Sequence, residues 1–215
     1  MSIPYTRWSY IYPPRPSTAA PFEDIVRYRD GRWEAQMKLN GTRNIIAVSP
    51  GGEVGFWNRH KERHRAWQPP QRIMRLVSSR FACGKWVVLD SELLHSKHPS
   101  VKDTLYLFGA LVLDGEYLVG ETYEAAYNRL ANVCEPKEDV PGLGGFVAEV
   151  DRGLWLARMI RHDRWDEAWS VAAENPIAEG LVLKRVKARL EMGRSENNNG
   201  SWMIRCRKPT KNFQF

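Results

Sequence analysis

Cysteine is scarce in this chain. Cys83, Cys134 and Cys206 lie far apart in 215 residues and form no C-x-x-C pair. A disulfide framework and a structural zinc site are therefore not expected, and a reduced, cytoplasmic setting is. No apolar run approaches the roughly 20 residues of a membrane-spanning helix, and the N-terminus carries no signal-peptide core. Internal repeats and long low-complexity tracts are missing as well. Acidic residues are the minority charge, 25 Asp and Glu against 32 Lys and Arg, for a net charge of +7 and a pI near 9.4. That excess favours a polyanionic partner, a nucleic acid or a nucleotide. With 43% hydrophobic residues the chain can bury its own core. No composition break divides it, so one domain over residues 1–215 is expected. Residues 1–21 form an extended arm, because Pro13, Pro14, Pro16 and Pro21 forbid a regular helix.

Periodicity organises the rest. A strand over Trp33–Leu39, a second in "RNIIAVS" and a third in "EVGFWN" read as an antiparallel meander, with Asn40-Gly41 as a hairpin tip. "PPQRIMRLVSSRF" predicts a helix opening after Pro70, with Ile73, Leu76 and Val77 on one face. "KWVVLDSELL" is a strand partly buried on both faces, and Asp114-Gly115 signals a hairpin. "ETYEAAYNRLANV" and "RWDEAWSVAAEN" have apolar residues at helical spacing; "EGLVLKRV" and "SWMIRCRK" are strands, with the loop "GRSENNNG" before the last. Strands outnumber helices and come in hairpins, which argues for an α+β fold with antiparallel sheets.

The informative residues are charges inside these strands, since an unpaired buried charge costs several kcal/mol. Lys38 ends the first strand; Asp90 and Glu92 are two apart and so share a face; Glu179 and Lys184 bracket "GLVL"; Arg205 and Arg207 alternate in the last strand. Each alone has a plain explanation, as a solvated tip, a half-exposed strand or a basic edge. Together, converging on one cleft, they would suit a nucleoside triphosphate with a divalent metal. A lysine among other cations has a lowered pKa and becomes a usable nucleophile. His60 and His64, like His95 and His98, have metal-like spacing, but "KERHRAW" is so basic that a loop facing nucleic acid is the better reading.

At these residues the chain resembles the covalent nucleotidyltransferases: ATP-dependent DNA ligases, RNA ligases and capping enzymes. "KLNGTR" resembles motif I (K-x-D-G-x-R), and "NRH" the arginine segment that follows it. "LDSELL" is similar to motif III, "LYLFGALVLDGEYL" to motif IIIa, "EGLVLK" to motif IV and "WMIRCRK" to motif V, in that order. Asn40 departs from the family's aspartate, Ser91 from glycine, Gly109 from an acidic residue, and Arg205 and Arg207 from lysines. The end of the chain soon after motif V reads as a nucleotidyltransferase core without an OB-fold domain.

The resemblance implies an ATP-grasp-like core of antiparallel sheets flanked by helices, with a nucleotide cleft between them. It implies Lys38 as the nucleophile that takes AMP from ATP, with Lys184 and Arg205 at the α-phosphate and Arg207 nearby. Phe108 would stack on adenine, Glu92 would hold the ribose and help place Mg²⁺ (or Mn²⁺), and Glu179 would serve the metal. Arg43 would reach the ribose or the incoming 5′-phosphate, and Arg59 a nucleic-acid phosphate. The expected partner of this monomer is a nicked duplex with 5′-phosphate and 3′-hydroxyl ends, gripped by "RHKERHRAW", Lys208 and Lys211. RNA joining, capping-type guanylyl transfer and a binding module without chemistry are the alternatives.

Overall fold

The structure is a computed structural model describing residues 3–209. Its strands in chain order are β1 (Ile3–Pro4), β2 (Arg15–Ala19), β3 (Trp33–Leu39), β4 (Thr42–Val48), β5 (Val54–Asn58), β6 (Val87–Leu94) and β7 (Thr104–Leu113). They continue as β8 (Glu116–Tyr117), β9 (Glu138–Asp139), β10 (Val147–Asp151), β11 (Leu154–Ala157), β12 (Ala178–Arg185) and β13 (Asn199–Arg207). The α-helices are α1 (Gln71–Phe81), α2 (Tyr123–Cys134) and α3 (Trp165–Glu174), with 3-10 turns at Phe22–Tyr28 and His162–Arg164. No helix among the described residues is long and apolar enough to cross a membrane.

The strands make two sheets. The larger runs β5-β4-β6-β7-β11-β10-β9, with β8 beside β7 and β1 beside β8; the smaller runs β2-β13-β12-β3. The α+β expectation holds, with helices flanking the sheets. Its antiparallel wording needs correction, because β11 pairs with β7 and β2 with β13 in parallel. The β7–β8 turn follows the Asp-Gly signal: Asp114 and Gly115 have φ of 52° and 71°, the paired positive values of a type I′ turn.

The expected meander breaks at its first turn. β4 pairs with β5 and β6, whereas β3 pairs with β12 in the other sheet. Asn40-Gly41 is thus a crossover between sheets and not a hairpin tip. The β10–β11 hairpin has no counterpart among the expected strands. Its strands are short, and both bury apolar residues that continue the larger sheet.

Three apolar clusters hold the layers. Ile73, Val77 and Phe81 of α1 and Ala126 and Leu130 of α2 pack against Ile46, Leu89 and Leu107 of the larger sheet. Trp165, Ala168 and Ala172 of α3, with Ile25, pack against Met37, Leu181 and Leu183 of the smaller sheet. The arm's Tyr5 and Ile11 cover Ile45, Val88 and Val112 on the larger sheet's other face. Trp8 stacks on Trp57 with 4.4 Å between rings, and Trp67 is buried. Apolar packing therefore accounts for these aromatics.

Candidate active site

The crossover from β3 to β4 builds the site. Because the chain leaves one sheet at Leu39 and enters the other at Thr42, Lys38 and Arg43 both line the gap between the sheets. The turn must lie almost on β6. A Cβ at Gly41 would sit 2.5 Å from Glu92 Cγ and 2.6 Å from the Leu93 carbonyl oxygen, so glycine is required here by the protein's own backbone. The Asn40 N–H donates to Ile177 O at 2.8 Å, tying the turn to the start of β12.

Alternation in β6 sends Leu89 and Leu93 into the helix-side core and Asp90 and Glu92 into the gap. Two connected spaces meet there. The first is an apolar slot with Met37, Leu39, Tyr106, Phe108 and Val182 among its walls, and Gln36, Asp90 and Lys184 among its polar residues. The second is a charged groove that contains Lys38, Arg43, Glu92, Glu179, Arg205 and Arg207. Lys38, Arg43 and Glu92 belong to both.

Lys38 is ion-paired with Glu179, which also accepts from Arg207 Nη2 at 3.0 Å. The neighbour of Lys38 is therefore a carboxylate, where the sequence suggested a crowd of cations. Glu179 reaches it from a bulge: the β3–β12 register shifts between Ala178 and Gly180. Gly180 has φ of 136°, and a Cβ there would lie 2.1 Å from Cys206 O, which explains the Glu-Gly pair physically. Burial pushes the Glu179 carboxyl up, but Lys38 and Arg207 outweigh it and hold the group below its ordinary value. Glu92 goes the other way. Burial raises it, and Lys38 and Arg43 only partly offset that.

Asp90, which is buried, and Arg43, which is half-buried, form a bidentate pair, with Arg43 Nε 2.5 Å from Oδ1 and Nη2 on Oδ2. The guanidinium also lies 4.9 Å from the Phe108 ring centroid, and the Lys184 ammonium lies 5.3 Å from it on the slot side. Lys184 Nζ donates to Gln36 Oε1 at 2.5 Å, Tyr123 Oη at 3.1 Å and Phe108 O at 3.2 Å. The Tyr106 hydroxyl donates to Met37 O at 2.7 Å, a direct bond from the larger sheet to β3.

Burial lowers the Lys184 pKa to about 7; Asp90 opposes this and Arg43 adds to it. The folded state thus binds fewer protons than the unfolded chain between about pH 7 and 10.5. The penalty for burying the charge is full below pH 7 and fades as pH rises through that window, on the order of 5 kcal/mol in all. Lys184→Met should lose this rise, so its stability relative to the parent should be greatest below pH 7 and decline toward pH 10. Denaturant unfolding at several pH values checks this.

The structure brings together Lys38, Arg43, Glu92, Glu179, Arg205 and Arg207 in the groove, and Phe108 and Lys184 in the slot. Lys184 lines the slot and Arg205 the groove, two residue pairs apart on the β12–β13 ladder, where Arg205 faces Val182 and Met203 faces Lys184. Arg59 is exposed on the groove rim, with Nε 3.0 Å from His60 Nε2. Lys208 donates to Ala172 O and Asn175 O at the end of α3, so its ammonium caps a helix where the sequence suggested duplex grip. Lys211 lies outside the described residues. His60 pairs with Glu196, His64 with Asn44, and His95 with Asp103.

Sequence reasoning missed Gln36, 2% exposed, whose Nε2 has no hydrogen-bond partner among the described residues. A polar residue two before Lys38 in an apolar strand was the available signal. It also missed Tyr123, read only as core, and Pro14 and Pro16, which wall the slot.

For a divalent ion the groove offers Glu92 and Glu179. Among the described residues no group of three or more His, Cys, Asp or Glu is set to hold a metal. No side-chain hydrogen bond or ion pair engages Glu92 among those residues. A carboxylate pair fits Mg²⁺, which keeps several waters and takes phosphate oxygens.

This arrangement of sheets is that of the ligase domains of DNA ligases. The ligase domain of LigD from M. tuberculosis superposes with a TM-score of 0.57 at 18% identity, covering 89% of this chain and 57% of that one. A mycobacterial DNA ligase D complexed with ATP and MES gives 0.61 at 18% identity, covering 90% and 59%. A Lig E DNA ligase, described as binding DNA with a minimal scaffold, gives 0.53 at 13% identity, covering 90% and 69%. The chain spans somewhat over half the length of the LigD structures it matches. No protein-family model matches the sequence, and no curated protein matches it.

Proposed function

We propose that the chain is an ATP-dependent polynucleotide ligase that seals nicked duplex DNA through a lysyl-AMP intermediate on Lys38, within an ATP-grasp-like nucleotidyltransferase core. The position of Lys38 carries this reading: its ammonium stands where the apolar slot opens into the cationic groove, held by Glu179, on a fold shared with DNA ligases. The slot takes the adenine against Phe108, Glu92 the ribose, and Arg205 and Arg207 the phosphates. Lys184 organises the slot floor through Gln36 and the Phe108 carbonyl.

Lys38 Nζ, giving up its protons to water, attacks the α-phosphorus. The N–P bond forms as the bond to the bridging oxygen breaks, and pyrophosphate leaves. A 5′-phosphate oxygen of the nick then attacks the adenylyl phosphorus, breaking the N–P bond and freeing the amine. Attack of the 3′-hydroxyl on the 5′-phosphorus expels AMP and closes the strand. Glu92 and Glu179 would hold Mg²⁺ or Mn²⁺, which would supply charge neutralisation at the phosphate oxygens. Arg59 and Lys97 on the rim meet the duplex backbone, which makes binding salt-sensitive.

The test offers nicked DNA, nicked RNA and hybrid duplexes with ATP and Mg²⁺. Sealing of nicked DNA with release of AMP is expected. Sealing of RNA alone moves the substrate to RNA, and labelling from GTP in place of ATP moves the chemistry to guanylyl transfer. Duplex binding with neither sealing nor labelling overturns the enzymatic reading.

A further inference from the structure

The arm does more than cover apolar surface. Residues 10–16 cross the mouth of the cleft from one sheet to the other. On the larger sheet, Trp8 stacks on Trp57, and Tyr10 Oη donates to Asn58 O at 2.7 Å. On the smaller sheet, Arg15–Ala19 runs parallel to β13, the strand that carries Arg205 and Arg207. Between these anchors the segment is held by the loop before β13. Tyr12 N–H donates to Gly193 O at 3.0 Å, Asn198 Nδ2 donates to Tyr12 O at 2.8 Å, and Arg15 N–H donates to Asn198 O at 2.8 Å.

Underneath, Pro14 and Pro16 line the slot, and Tyr12, Pro13 and Arg15 line the groove. The Pro14 carbonyl accepts from Arg43 Nη2 at 3.0 Å, so the segment takes a donor of a residue at the centre of the site. Pro13 and Pro14, which precede the β2 ladder, have no N–H to donate to a neighbouring strand. The span between Tyr10 and β2 is therefore held by separate bonds to one loop and to Arg43, with no continuous ladder.

We propose that Tyr10–Pro16 is a strap gating the nucleotide site: it lifts to admit ATP and recloses over it, while Arg43 exchanges the Pro14 carbonyl for a ribose or phosphate oxygen. This rests on the nucleotide-binding reading of the cleft.

Gly193 gives a clean way to loosen the strap. A Cβ there would lie 2.0 Å from Tyr12 O, so Gly193→Ala pushes the strap off its seat. Asn198→Ala, which removes one hydrogen bond, is the milder second variant. ATP association and dissociation are followed by stopped-flow tryptophan fluorescence, with hydrogen exchange at the Tyr12 and Arg15 amides as the report on strap release. Faster amide exchange with ATP on- and off-rates both raised about tenfold in Gly193→Ala, and less in Asn198→Ala, is expected. Parental ATP rates in variants whose strap amides exchange faster overturn the gate while leaving the nucleotide site intact. Absence of ATP binding in the parent protein overturns the site reading and the gate with it.

Discussion

Lys38→Ala should lose nick sealing from ATP by on the order of 10⁴-fold or more, yet still close a nick whose 5′-phosphate already carries AMP. On the proposed mechanism Lys38 is needed to accept and pass on the adenylyl group, whereas the last step needs the 3′-hydroxyl, the bound AMP and the cations around the phosphates. Arg205 and Arg207 stay in place in the variant. The structural cost is limited because Glu179, left without Lys38, keeps its bond from Arg207. Melting should shift by only a few degrees. Gel assays on plain and pre-adenylylated nicks, beside a melting curve, separate a lost nucleophile from a lost fold. Equal loss on both substrates contradicts the role given to Lys38.

The second large effect is on stability. Asp90→Ala leaves the half-buried Arg43 without its bidentate partner, and breaking such a pair costs about 3 kcal/mol or more. The Asp90 side chain is 5% exposed and that of Arg43 20%, so solvent screens the loss little. For a chain of this length the melting temperature should fall by about 6–12 °C. Sealing should fall too, since Asp90 sets the angle at which Arg43 stands over Phe108. Asp90→Asn, which keeps the shape and one acceptor, should cost less than the alanine change. An unshifted melting curve for Asp90→Ala would show that the pair does not hold the cleft.

Much of this site is legible in the sequence because charges in apolar strands stand out locally. Asp90 and Glu92 share a face by simple alternation, and Glu179 and Lys184 flank an apolar stretch. Sheet membership is not a local property. Residues 33–48 have the periodicity of a hairpin, and Asn40-Gly41 is a common hairpin turn. What sends β4 to the other sheet is its pairing with β6, more than 40 residues on, and the approach of Gly41 to Glu92 and Leu93. The same limit hides Gln36 and Tyr123, whose importance comes from a lysine 148 and 61 residues away. The arm's prolines correctly exclude helix, but their place over the slot depends on the loop at residues 193–198. Asn40 is the residue at which the resemblance and the fold meet least: its backbone holds the crossover, and no side-chain hydrogen bond engages it among the described residues.

The most direct measurement is peptide mass mapping of the full chain after incubation with ATP and Mg²⁺ and without nucleic acid. One AMP on the peptide containing Lys38, removed by adding a nicked duplex, is the expected result. AMP on another residue, or ATP bound tightly with no covalent adduct, would contradict covalent nucleotidyl transfer through Lys38.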